Sequence, residues 1–509
     1  MEEAKFLINF SISSLMAEEE VEKREEIDLT SYGQGKATIP SKYYNKNLVP
    51  VSPSLKKWNW VNYTTVWAGM SHNVVAFELA GLLTFQLGAP IALAVIGIAY
   101  GTLLIALYLN GHIGTKWGIP YPISVRPMFG IKGATLPVLM RAGVALFWFA
   151  VQSYVGGTII DAVISIMYKP WTSLTAPVLG MPEHLAISFL IFWALNVAVL
   201  FGGMEEIKNF ELVAGPLIVA SLGALFGYGI YLAHGFGPLF SVTASPTLSA
   251  VTLSIASMAG VWATLVLNIP DFTRFSRSQK DQLIGQGLGL PVIVSLFSLI
   301  AVGITSTMIY LYHIPMSEAV NYVNPVNIMY LFTSNPLLAL LVGVSLVIAT
   351  VSVNVAANIL SPVYDLISLF PRKLESWGKT SIVAAVIGLL YVPQLWYNNA
   401  GTIFDVLDII GAGLGSIAGI MIADYWILRR TNFKLVDLFT PKGEYWYSDG
   451  VNWKAIVSLA VGFGVPAIGF FVPALVSLYD YGWYLAVAIS MLLYLGLNWR
   501  TKGTKKENK

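Results

Sequence analysis

The stretch TTVWAGMSHNVVAFELAGLL, residues 64–83, is apolar enough to cross a bilayer, yet Gly69, Ser71, His72 and Asn73 sit together near its middle. Glycine weakens a helix, and polar groups in hydrocarbon need partners. A break at mid-depth opens backbone carbonyls and side chains to a ligand. A second stretch, SIASMAGVWATLVLNIP at residues 254–270, places Gly260 before Val261 and Trp262. Gly69 lies about 8 residues from the near end of its segment, roughly 12 Å at 1.5 Å per residue, and Trp262 lies at a similar depth in its own. Both helices are expected to be interrupted there. They are five spans apart and so run in opposite directions. Matched interruptions of this kind point to inverted repeats around a central substrate site. The plainer alternative for each glycine is close helix packing.

The rest of the chain supports a membrane setting. Of its 509 residues, 56% are hydrophobic and only 11% charged, and the mean hydropathy is +0.67. A soluble protein carries about 25% charged residues. Twelve apolar segments are long enough to span, at 62–87, 90–110, 136–164, 184–203, 210–233, 248–269, 283–312, 337–366, 380–396, 402–423, 453–472 and 481–498. With the N-terminus inside, 29 of the 30 Lys and Arg residues fall on the inner side, Lys169 being the exception. The positive-inside rule therefore puts both termini in the cytoplasm. Residues 1–57, with the acidic run MAEEEVEKREEID and no cleavable-signal pattern, read as a solvated cytoplasmic segment. A multi-pass protein of the cell (plasma) membrane is expected. Net charge is +2, so nucleic acid is not an expected partner. The chain has no cysteine, and its five histidines (His72, His112, His184, His234, His313) lack metal-ligand spacing. That removes thiolate chemistry and offers no cluster for an enzyme.

The polar residues inside the spans carry the function. Trp148 and Gln152, four apart in ALFWFAVQSYVGG, share a helix face near mid-span. Tryptophan prefers the interface, where its N–H reaches water, so a mid-span indole beside an amide suggests a binding surface. Trp262 supplies a second such surface, and two indoles flanking a gap hold a flat heteroaromatic molecule. Gln152, Asn358 and Asn73 would pair with its amide edges, since a primary amide presents donor and acceptor side by side. Gly260 and Val261 complete this set. In NVAANILSP, residues 354–362, Asn358 reads the substrate, whereas Asn354 ties helices together. The alternative for all these amides is interhelical bonding, worth about 0.6 kcal/mol each. A neutral lining favours an uncharged substrate.

A co-transported cation, Na+ or H+, needs its own groups. Carbonyls of Gly69, His72 and Ala349 with the Ser352 hydroxyl offer four oxygens, few for sodium. Glu78, Asp405 and Asp408 are the proton-coupling candidates, the alternative being a wet vestibule or an interhelical bond. Asp365 and Asp424 read as interfacial.

The segments WAGMSHN, GIPYPISVRPMFGIKGATLPVLMRAGVALFWFAVQSYVGG, AANILSPVYD and GIMIADYWILRR resemble the nucleobase–cation symporter family, which includes hydantoin, allantoin, uracil and purine transporters. The likeness runs from about residue 45 to 454. It implies an all-α, twelve-helix, leucine-transporter-like fold. Residues 58–235 and 236–430 would form the two inverted repeats of five helices, followed by two further helices in 431–498 and a tail at 499–509. It also implies stacking by Trp148 and Trp262, substrate amides at Gln152 and Asn358, a polar substrate contact at Asn73, and sodium ligands at Gly69, His72, Ala349 and Ser352. Val353 stands where a second sodium-site hydroxyl is expected. Asp408 stands where a neutral polar residue is expected. The implied function is cation-coupled import of a flat heterocycle by alternating access. The competing reading is a sodium-coupled amino-acid symporter on the same architecture, which would need a group for the substrate carboxylate.

Overall fold

The computed structural model describes residues 24–71, 74–315, 318, 321, 323–330, 336–397 and 401–499. Long helices dominate: α1 (Trp60–Ser71), α2 (Val74–Leu87), α3 (Ala89–Trp117), α4 (Thr135–Met167), α5 (Glu183–Phe201), α6 (Gly203–Leu232), α7 (Leu248–Thr273) and α8 (Gln279–Leu311). They continue as α9 (Pro336–Leu369), α10 (Trp377–Leu389), α11 (Gly401–Ile422), α12 (Trp453–Phe471) and α13 (Gly482–Trp499). Among the described residues, ten helices are long and apolar enough to cross a membrane. α6 and the pair α1–α2 occupy the places of the fifth and first expected spans.

Local chemistry sets several boundaries. Thr247 caps α7 by accepting the Ala250 N–H, and Ser278 caps α8 by accepting from Asp281, each satisfying a donor that the first helical turn leaves open. Gly118 ends α3 in the left-handed region at φ 68°, its N–H returning to the Gly114 carbonyl. A Cβ there would also lie 2.1 Å from the Tyr32 hydroxyl, so glycine is required twice over.

α7 packs most extensively along α3, α11 along α13, α1 along α8 and then α6, and α9 along α4. α4 and α7 are two-thirds buried over their most apolar stretches, whereas α13 is 28% buried over its own. The core therefore lies around α4 and α7, and α13 turns most of its surface outward.

Two expectations are corrected here. The sixth span is not interrupted: α7 runs unbroken from Leu248 to Thr273. In lipid every backbone group must be satisfied within the helix, and one glycine is too weak a breaker to forgo that. Gly260 instead serves packing, since a Cβ there would come 3.3 Å from the Leu407 carbonyl of α11. The irregularity lies elsewhere, in π-helical turns at Leu288–Val294 of α8, at Asn354–Ile359 of α9, and at Ala423–Leu428 following α11. In the first span α1 is helical through Gly69 to Ser71, and His72 and Asn73, the rest of the expected break, lie outside the described residues.

The second correction concerns the N-terminal segment. Residues 24–57 are docked, not solvated. Strands β1 (Arg24–Asp28) and β2 (Lys36–Pro40) form an antiparallel hairpin. Ile27, Leu29, Ile39 and Leu48 are buried in the main core. Gln34 donates to the Phe433 carbonyl at 2.7 Å and accepts from the Leu435 N–H at 2.7 Å. The Arg274 guanidinium donates to the Asn47 and Val49 carbonyls at 2.7 and 2.6 Å. Asp365 and Asp424 are likewise buried, not interfacial. Asp365 lies 4.0 Å from the Arg141 guanidinium, and Asp424 accepts from Arg429 at 2.6 Å and Tyr494 at 2.9 Å. A carboxylate can leave water when such a partner comes with it.

Candidate functional site

A partly open pocket lies among α2, α4, α7 and α9. Its lining is Val75, Ala76, Trp148, Gln152, Val261, Trp262, Thr264, Val353, Ala357 and Asn358. The structure thus brings together Trp148, Gln152, Val261, Trp262 and Asn358, which the sequence distributes over three spans. Gly260 is left out, committed to its contact with Leu407. Asn73 lies outside the described residues. Val353 faces this pocket, as do Thr264, Val75, Ala76 and Ala357, none of which was singled out as a substrate contact. Among the described residues no charged side chain lines it, so an uncharged ligand avoids the cost of stranding a charge in a low dielectric.

Both indoles are held by neighbours. Trp262 meets Trp67 of α1 edge-on, with centroids 5.5 Å apart at 70°. Trp148 meets Phe147 at 5.7 Å and 77°. The buried Trp148 Nε1 has no hydrogen-bond partner among the described residues. An indole N–H left so is a donor available to a ligand.

The amide of Asn358 is positioned by Asn354. Asn358 Nδ2 donates to Asn354 Oδ1 at 3.0 Å. Asn354 Nδ2 donates to the Phe149 carbonyl at 3.3 Å and to Ser153 Oγ at 3.1 Å, both on α4. Asn354 therefore ties α9 to α4, as its place in the sequence suggested, and through that tie it orients the pocket amide. The two asparagines occupy the π turn Asn354–Ile359. A π turn disturbs the regular ladder of its helix and often marks a functional place. The Ala357 carbonyl in this turn accepts from Arg141 Nη2 at 3.2 Å.

The ion-site candidates divide. Gly69 of α1 and Ser352 of α9 are brought together: a Cβ on Gly69 would lie 2.4 Å from Ser352 Oγ. Ala349 is buried one turn before Ser352 on the same helix. His72 lies outside the described residues, as do the side chains of Asp405 and Asp408. Glu78 is buried and its Oε2 accepts from the Tyr397 hydroxyl at 3.1 Å, a bond to the connector between α10 and α11 and not to another helix.

Sequence reasoning missed Glu211. Its carboxylate is fully buried and accepts from Ser352 Oγ at 2.6 Å. A Cβ on Gly69 would come 1.7 Å from its Oε2. With the fifth span drawn from residue 210, Glu211 fell at its margin and was not singled out. The helix begins at Gly203, so Glu211 lies about 12 Å inside it at 1.5 Å per residue. The signal was present, a lone acid in NFELVAGPLIV, but an apolar-window boundary hid it.

Comparison with known proteins follows this geometry. Residues 50–486 match the family described as permeases for cytosine/purines, uracil, thiamine and allantoin. An allantoin permease of Bacillus subtilis is 37% identical over 461 residues, which cover 89% of this chain and 92% of that one. A purine-uracil permease of Arabidopsis thaliana is 32% identical, with 86% of this chain and 73% of that one covered. The solved structure of Mhp1, a nucleobase-cation-symport-1 family transporter in a closed conformation with bromovinylhydantoin bound, superposes with a TM-score of 0.71. It is 24% identical, and the alignment covers 91% of this chain and 96% of that one, so it speaks to the fold. The all-α, leucine-transporter-like architecture is therefore established, and none of these relatives supports the amino-acid alternative. With an extended match to the family and two permeases above 30% identity, the chain belongs to the permease family for cytosine/purines, uracil, thiamine and allantoin.

Proposed function

We propose that the protein is a secondary active importer that carries a neutral flat heterocycle, such as allantoin, hydantoin, uracil or a purine, together with a cation. The observation that carries this reading is the uncharged pocket lined by Trp148, Trp262, Gln152 and Asn358. The indoles stack on the ring, and the amides bond its alternating N–H and C=O edge. Asn354 holds the Asn358 amide in place, so little rotamer freedom is lost on binding. The names of the relatives, an allantoin permease and a purine-uracil permease, agree with this chemistry.

Transport then follows by alternating access, with one helix bundle rocking against the other around the site. Residues 58–235 and 236–430 would be the two repeats, with both termini in the cytoplasm of a plasma-membrane protein, a reading supported by the Lys and Arg distribution. The test is uptake of labelled allantoin, uracil and hydantoin into proteoliposomes. Trp148→Ala and Asn358→Ala should each abolish or sharply reduce uptake of the true substrate. Unchanged transport by both variants would refute the site.

A further inference from the structure

We propose that Glu211 is the anionic ligand of the coupling-ion site, and that it takes Na+ together with the Ser352 hydroxyl and the carbonyls of Gly69 and Ala349. This inference rests on the transport function proposed above and names its ion.

Three observations converge. Glu211 Oε2 stands between α1 and α9, within hydrogen-bond distance of Ser352 Oγ (2.6 Å) and against Gly69, where a Cβ would meet it at 1.7 Å. Glu211 Oε1 is buried and has no hydrogen-bond partner among the described residues. No cationic side chain pairs with this carboxylate among the described residues. Lys208, one turn earlier on α6, is engaged by Glu205. A buried carboxylate without a counter-charge is costly, and a bound cation supplies that charge.

The ligand types also fit. Carbonyl, hydroxyl and carboxylate oxygens form the hard donor set that alkali and alkaline-earth cations select. The four oxygens legible in the sequence are few for sodium, and the hydroxyl expected beside Ser352 is replaced by Val353, which faces the substrate pocket. Glu211 reaches the site from a different helix and adds up to two oxygens, making good that loss. Gly69 is required because any side chain there would displace the carboxylate.

The test uses the purified full-length protein without substrate, melted in NaCl and in choline chloride at equal ionic strength and pH. A bound ion raises Tm by mass action. The wild type should show a sodium-specific rise that saturates with concentration. Glu211→Gln should raise the apparent sodium Kd by at least about tenfold, the scale seen when a metal site loses a supporting partner. Gly69→Ala, which keeps every ligand type but drives a methyl into the carboxylate, should do the same. Absence of a sodium shift in the wild type overturns the proposal, as does an unaltered shift in both variants. Substrate uptake that follows a pH gradient and ignores sodium also overturns it. A substrate that binds at the tryptophan pocket regardless of sodium would leave the transport function standing and sink only the ion assignment.

Discussion

Asn354 and Asn358 form a relay whose energetics can be separated by a double-mutant cycle. Asn358 lines the pocket, while Asn354 contacts the substrate only through it. Asn358→Ala removes a substrate bond and leaves the ligand's edge unpaired, a loss of about 1–3 kcal/mol, or roughly 5- to 150-fold in Kd. Asn354→Ala frees the Asn358 amide to rotate. Losing one orienting bond should cost about 0.5–1.5 kcal/mol in affinity, roughly 2- to 10-fold. The same change cuts two bonds to α4, at 3.3 and 3.1 Å. At about 0.6 kcal/mol each, that lowers stability by about 1 kcal/mol. The double variant should bind no worse than Asn358→Ala alone, because Asn354 then has nothing to orient. The assay is quenching of intrinsic tryptophan fluorescence by allantoin or uracil, with melts run in parallel. Strictly additive affinity losses, or a larger loss from Asn354→Ala than from Asn358→Ala, would refute the relay.

Arg141→Met should lower stability by about 3–5 kcal/mol, since it strands Asp365 and the Ala357 carbonyl in the core; pairing it with Asp365→Leu should recover much of the loss in a thermal melt. Gly419→Ala, at the α11–α13 contact, would place a Cβ 2.3 Å from the Val487 carbonyl. Backbone cannot rotate away, so a cost of about 1–3 kcal/mol should appear in the same melt. Burial, aided by repulsion from Arg274, holds the Lys56 ammonium down at about 8. Between that value and the ordinary lysine range the folded state binds fewer protons than the unfolded one, so stability should rise with pH across this window. Melts at pH 7.5 and 10 should show the rise in the wild type relative to Lys56→Met; an identical pH response in both proteins would refute it.

That Trp148, Gln152, Trp262 and Asn358 share one pocket was legible because they sit at mid-span and, for the first two, at helical spacing. Trp148 and Gln152 are four apart, and a mid-span indole in the company of an amide is hard to explain by lipid contact. Residues near a segment end were misjudged, because hydropathy marks where apolar composition stops and not where the helix stops. Asp365 and Asp424 were misread in this way and Glu211 was passed over, each of the three buried with a partner from a distant part of the chain. Gly260 failed for another reason: a glycine carries no sign of whether its missing side chain breaks a helix or admits a neighbour. The docking of residues 24–57 could not be seen either. Only scattered residues such as Ile27, Leu29, Ile39 and Leu48 enter the core there, without the length of a span.

That docking has a consequence for biogenesis. Gln34 and its acceptor at Phe433 are 399 residues apart in the chain. At 5–20 residues per second, about 20–80 s of synthesis separate the two. During that interval the hairpin can rest only on earlier parts of the chain, such as Gly118 of α3 beside Tyr32 and the Val51 carbonyl that accepts from its hydroxyl. The bonds of Gln34 to Phe433 and Leu435 thus form only after eleven of the labelled helices have been synthesised.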